Sequence, residues 1–124
     1  MNRTYIDMDC VMDTKTVVQI ESDGFNAVLT ISYKTGKELD KEYKYTGTRV
    51  CFHRLIHIIT SLYERGNNTK AGFYSQAFES LLSTWYSSTE LTHLMGEYQI
   101  NNSIDLVSTL LKDGAFKTLR VGNS

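Results

Sequence analysis

The sequence predicts an α+β domain: an N-terminal antiparallel β-meander of about four strands with one face covered by three to four C-terminal helices. Three observations carry this. Apolar residues recur at every second position as far as Thr46, and at every third or fourth position after Gly47. The pairs Asp23-Gly24 and Thr35-Gly36 separate successive strand patterns by too few residues for a crossover, so neighbouring strands must run antiparallel. Finally, Thr48 to Arg65 carries one apolar stripe over its whole length.

Residues 4 to 12 alternate, with Ile6, Met8, Cys10 and Met12 on one side and Tyr5, Asp7, Asp9 and Val11 on the other, the pattern of a half-buried strand. Residues 15 to 22 form a second strand. Phe25 to Lys34 is a third, with Phe25, Ala27, Leu29, Ile31 and Tyr33 on one face. Leu39 to Thr46 returns with Leu39, Tyr43 and Tyr45 in phase. The central helix follows, with Cys51, Leu55, Ile58, Ile59 and Leu62 at helical spacing and Phe52, Ile56 and Tyr63 widening the stripe. A face that broad predicts the plate on which the sheet lies.

Gly66 suits a left-handed cap, and Asn67-Asn68-Thr69 starts the next helix. There Tyr74, Phe78, Leu81, Leu82 and Trp85 make a second stripe. Ser87 and Glu90 have capping-box spacing ahead of Leu91, Leu94, Met95 and Tyr98. Asn102 or Ser103 caps a fourth helix bearing Ile104, Val107, Leu110 and Leu111, stopped by Gly114. Asp113-Gly114 reads as a turn, so 115–121 is assigned to a short closing strand. The chain divides into a sheet (1–47), a central helix (48–66) and further helices with a tail (67–124), all in one domain.

A length of 124 residues, 41% hydrophobic and 22% charged, supports a packed core and excludes a disordered chain. Thirteen basic against fourteen acidic residues give a net charge of -1, which removes any bulk attraction to nucleic acid or an anionic membrane. The first residues hold no apolar run of signal-peptide form, and no stretch reaches membrane-span length. Cys10 and Cys51 both fall on apolar faces, which predicts reduced, buried thiols and a cytoplasmic protein.

Four groups of residues carry possible chemistry. Tyr5-Ile6-Asp7-Met8-Asp9-Cys10-Val11 resembles the first motif of the haloacid dehalogenase-like phosphohydrolases, a hydrophobic strand ending in Asp-x-Asp-x-Val. That resemblance implies Asp7 as nucleophile on phosphorus, Asp9 as general acid/base and Mg²⁺ to offset the charge. It spans seven residues. Cys10 stands where the family has Gly, and a meander follows in place of crossover helices. Read without it, Asp7 and Asp9 are the solvent side of an edge strand.

His53 and His57, four apart on one helical face, have the spacing of a helix-borne zinc pair, with Glu64 near the same stripe. Arg54 follows His53 where a metalloprotease helix has Glu, and His93 belongs to another helix. The polar face of the central helix therefore accounts for the pair, and no cofactor or metal is expected. Tyr33, Tyr43 and Tyr45 alternate with Lys34, Lys37, Lys41 and Lys44, a pattern able to stack bases and hold phosphates. Glu38, Asp40 and Glu42 cancel most of that field, and the tyrosines are in phase with the core. Nucleic acid is thus the weaker reading of the hairpin.

Charge is also divided along the helices. Arg49, Arg54, Arg65 and Lys70 face a single acid, Glu64, whereas the stretch from Ala71 to Leu111 holds Glu79, Glu90, Glu97 and Asp105 and no Lys or Arg. Trp85, Tyr86 and Tyr98 fall in that acidic stretch, and amphipathic aromatics are favoured at protein contacts. Glu79, Trp85, Tyr86, Glu90, Glu97 and Tyr98 are therefore the candidate partner-binding residues. With no constellation of nucleophile, base and oxyanion donors in the sequence, the function expected is that of a non-enzymatic interaction protein, with a homodimer as one form of that class. It would act by binding and occlusion, as small phage or mobile-element accessory proteins inhibit host defence, anti-CRISPRs among them. A small metal-dependent phosphohydrolase using Asp7 and Asp9, and a nucleic-acid-binding domain using the hairpin, are the alternatives.

Overall fold

The computed structural model describes residues 2–7, 14–22, 26–35 and 38–117. They form an α+β fold, an antiparallel sheet followed by four helices. Three nine-residue strands, β2 (Thr14–Ser22), β3 (Ala27–Thr35) and β4 (Glu38–Thr46), make the body of the sheet. The six-residue β1 (Asn2–Asp7) runs along the free side of β2. Of the pattern read over residues 4 to 12, Thr4 to Asp7 lie in this strand. Met8, Asp9, Cys10 and Met12 lie outside the described residues, as do Phe25 and Lys37.

The register explains which strand face is inside. Val18 pairs with Ile31 and Ile20 with Leu29 across β2 and β3. These four are 0–2% exposed, as strict alternation over one covered face requires. On the other side of β3, Leu29 pairs with Tyr45 and Ile31 with Tyr43. A bulge then shifts the ladder between Tyr33 and Lys34, so that Tyr33 opposes Lys41 but Lys34 opposes Leu39. Leu39 thus stands across a register shift from Tyr43 and Tyr45, with one extra residue in β4 between them.

Gly47 turns the chain from sheet to helix. Its φ of 112° is open to glycine and strained for other residues. Its N–H donates to the Ala27 carbonyl at 2.8 Å while its carbonyl accepts from the Cys51 N–H at 2.9 Å, so one residue ends the β3–β4 ladder and starts α1 (Thr48–Glu64). Cys51, Phe52, Leu55, Ile59 and Leu62 are buried, and Ile56 and Ile58 pack half-buried beside them. Tyr63 does not widen the stripe; it is half exposed, a full helical step off the Leu62 line.

The plate under the sheet is two helices rather than one. α1 lies on β3 and β4, and α2 (Asn68–Leu82) lies on β1 and β2 beside it. Asn67 caps α2, its side chain accepting from the Lys70 N–H, and Gly66 precedes it at φ 77°. α3 (Ser88–Tyr98) opens with the capping box of Ser87 and Glu90. α4 (Ser103–Asp113) is capped by Asn102 rather than Ser103. α4 stacks on α1, and α3 on α4, forming an outer layer. Arg49 Nη2 ties the layers by donating to the Leu111 carbonyl at 2.9 Å, a cation meeting the carbonyl-rich end of a helix.

The tail departs from the closing strand expected over 115–121: Ala115 to Lys117 are not strand, and residues 118–121 lie outside the described residues. Gly114 takes φ 72° and turns the chain back, so that Ala115 N–H donates to the Leu110 carbonyl. Phe116 then enters the core, its ring 5.0 Å from Phe52 and 5.3 Å from Tyr86.

Candidate functional site

Two surfaces of opposite charge emerge. The acidic one is built on α3, the start of α4 and the end of α2. Trp85 and Tyr86, expected at its surface, are instead core residues at 2% and 5% exposure. They follow the last turn of α2, where the chain folds back and packs Trp85 against Phe52 and Phe116. Tyr86 keeps its hydroxyl at the edge of the core, accepting from the Lys117 N–H at 2.7 Å. Burial raises its pKa.

Glu79, Glu90, Glu97 and Tyr98 do reach the surface, but they are not equivalent. Glu90 accepts from the Ser87 N–H at 2.8 Å and from Lys117 Nζ at 2.7 Å, and these bonds hold its pKa down to about 2, the Lys117 bond contributing most. Lys117 Nζ also sits 4.9 Å from the Tyr86 ring centroid. Glu90 is thus a clasp between helix cap and tail. Glu79 accepts a short hydrogen bond from the Ser103 hydroxyl and joins α2 to α4. Glu97 is exposed, and Tyr98 packs only partly against the core.

Beside them α3 presents apolar surface. It has no fully buried residue; Leu91, Leu94, Met95 and Tyr98 pack only partly on the core, as do Ile100 and Ile104. Gln99, in a left-handed conformation at φ 58°, ends the helix and turns Ile100 back toward it. The result is a shallow depression of about 420 Å³ lined by Met95, Ile100, Gln99 and Asp105. Apolar side chains ringed by polar ones are a common anatomy of protein contacts.

The basic surface is on the other side, where α1 ends, α2 begins and β3 passes underneath. A cleft of about 200 Å³ brings together Arg54, His57, Arg65, Lys70 and the hydroxyl ends of Tyr33 and Tyr74. No carboxylate lines it among the described residues. Arg54 lies over the Tyr45 ring, 5.3 Å from its centroid, and its Nε is shielded from solvent with no hydrogen-bond partner among the described residues. Burial raises the Tyr74 pKa, and a hydrogen bond with Tyr33 raises it further. Arg54, Arg65 and Lys70 stood out in the sequence only as a basic run; their convergence with Tyr33 and Tyr74 did not.

The remaining candidates are placed as follows. Asp7 ends β1 opposite Val17 in the ladder, while Asp9 lies outside the described residues. The sheet that carries Asp7 is antiparallel, not the parallel crossover sheet that the phosphohydrolase resemblance implies. His53 and His57 are exposed on α1. No group of three His, Cys, Asp or Glu side chains among the described residues is placed to hold a metal ion; His57 joins the basic cleft instead. Of the hairpin lysines, Lys41 and Lys44 are exposed and Lys34 is half-buried. Tyr33 and Tyr45 pack on the core, but Tyr43 is 44% exposed, its ring edge-on to Tyr33 at 6.1 Å. Cys51 is buried, and burial pushes its thiol up to about 11, while its Sγ donates to the Tyr45 carbonyl at 3.4 Å.

Among the described residues no helix is long and apolar enough to cross a membrane. No family model matches this chain, and no curated protein or solved structure is significantly similar to it.

Proposed function

We propose that the protein is a non-enzymatic interaction module that docks a basic segment of a larger protein on the outer layer formed by α3 and the start of α4. The observation that carries this reading is α3 itself, which turns Leu91, Leu94, Met95 and Tyr98 inward yet buries none of them fully. Partly covered apolar residues of this kind gain from a second surface, at about 25 cal/mol per Å² removed from water. The sign of the partner follows from charge. Glu97 and Asp105 border the patch, and no Lys or Arg occurs between Ala71 and Leu111, so a basic partner is attracted and an acidic one repelled.

Docking there would act by occlusion, because a chain of this size can cover a functional surface of a larger target. Small phage or mobile-element accessory proteins that inhibit host defence, anti-CRISPRs included, would be proteins of this kind. The test is affinity capture from a candidate host lysate, followed by measurement of the purified pair with Glu97→Lys and with Tyr98→Ala. Both substitutions are expected to weaken binding at least roughly tenfold, and added salt is expected to slow association. Binding unchanged by either substitution sinks the assignment to this face. Light scattering of the free chain separates a foreign partner from a second copy of itself.

A further inference from the structure

We propose that the cleft between α1, β3 and the start of α2 binds a nucleoside monophosphate, its phosphate held by Arg54, Arg65 and Lys70. The site is separate from the acidic face and does not depend on that reading.

The charge in the cleft is one-sided. Two arginines and a lysine converge on about 200 Å³ with no carboxylate lining it among the described residues. Like charges held together repel unless something offsets them, and a phosphate dianion does so with strong charge-assisted hydrogen bonds. The donors are suited to oxygen acceptors. Arg54 is fixed over the Tyr45 ring with its Nε unmet, and an arginine so oriented keeps its remaining N–H groups in a planar fork that matches phosphate. Arg65 Nε is steadied by the Ser61 carbonyl at 3.4 Å. The Tyr33 and Tyr74 hydroxyls are paired with each other, and each hydroxyl, with one donor and two acceptor sites, keeps hydrogen-bonding capacity for a ligand.

Size and surroundings narrow the class. The cleft is below the roughly 300–1,000 Å³ of sites that enclose drug-sized ligands, so it holds a phosphate and little more, and the rest of the molecule must lie outside. Tyr43, 44% exposed, stands edge-on to Tyr33 with ring centroids 6.1 Å apart. An exposed aromatic next to a phosphate site is a stacking surface for a planar base.

The test uses the full chain, titrated with a nucleoside 5′-monophosphate, with inorganic phosphate and with the parent nucleoside, followed by amide NMR shifts and calorimetry. The monophosphate is expected to bind tightest, phosphate more weakly and the nucleoside without saturation, with shifts centred on residues 54–74. Arg65→Gln and Lys70→Gln are each expected to weaken the monophosphate roughly tenfold, and Tyr43→Ala to weaken the monophosphate but not phosphate. Neither side chain carries core packing, and the Lys70 N–H that meets the Asn67 cap survives substitution, so an unchanged melting temperature is expected for both. The proposal is overturned if neither phosphate probe saturates at millimolar concentration. It is equally overturned if chloride at matched ionic strength gives the same shifts, or if the two charge-removing variants bind as the parent does.

Discussion

At the scale of single residues, Glu90 shows how one carboxylate is given two structural duties. It closes the capping box of α3 and anchors the tail through Lys117. Both are surface contacts, and exposed pairs of this kind stabilise weakly, so its signature is pH dependence rather than a large energy. The carboxyl titrates near 4.5 when unperturbed and near 2 in the fold. A lowered folded pKa means that its contribution is complete above about 4.5 and is lost as the pH falls from there through 2. Glu90→Gln is therefore expected to lower the melting temperature slightly at neutral pH and to flatten its fall between pH 4.5 and 2. Parallel acid limbs for the two proteins would show that the clasp does not couple to folding.

At the scale of elements, local chemistry and periodicity account for most of what formed. The strands, the Gly47 pivot, the Ser87–Glu90 box and the Asn67 cap all follow from neighbours in sequence. What failed lies where a period is set aside or stops assigning faces. Residue type and the acidic stretch put Trp85 and Tyr86 at the surface, whereas the apolar stripe of α2 already runs on to Trp85, and packing follows the stripe. Leu39 precedes a bulge that no alternation reveals. Asp113-Gly114 resembles a hairpin turn and so points to a strand after it, yet the same Gly serves equally as a left-handed helix cap. The tail instead contributes through Phe116, 6% exposed and in ring contact with Phe52, Trp85 and Tyr86. Phe116→Ala should cost about 3 kcal/mol in urea unfolding, the low end for a buried aromatic because a tail can partly collapse into the gap. A loss below about 1 kcal/mol, the range of surface changes, would mean that the tail is not part of the core.

At the scale of the whole molecule, the chain separates into an inner unit and an outer layer, and the two candidate surfaces belong to different parts of it. The basic cleft joins β3, α1 and α2, elements that meet only after folding, which is why the sequence displayed the charges of Arg54, Arg65 and Lys70 without their convergence on Tyr33 and Tyr74. The acidic face was legible in sign, since the stretch from Ala71 to Leu111 lacks any Lys or Arg, but not in which aromatics it exposes. Within the outer layer, α3 should be the less stable part. α3 is 11 residues long with no residue fully buried, shorter than isolated helices that persist in water, and Gly96 in its last turns costs up to about 1 kcal/mol relative to Ala. Its capping box offsets only part of this. α1, by contrast, has 17 residues, with Cys51, Phe52, Leu55 and Ile59 at 0–1% exposure. Amides of α3 are therefore expected to exchange with solvent at least roughly tenfold faster than those of α1, through local opening that leaves the sheet intact. A helix that opens alone can adjust to a partner at little cost to the rest of the fold. Equal protection of α3 and α1 would show instead that the outer layer unfolds only with the core, and the acidic face would then have to bind as a rigid surface.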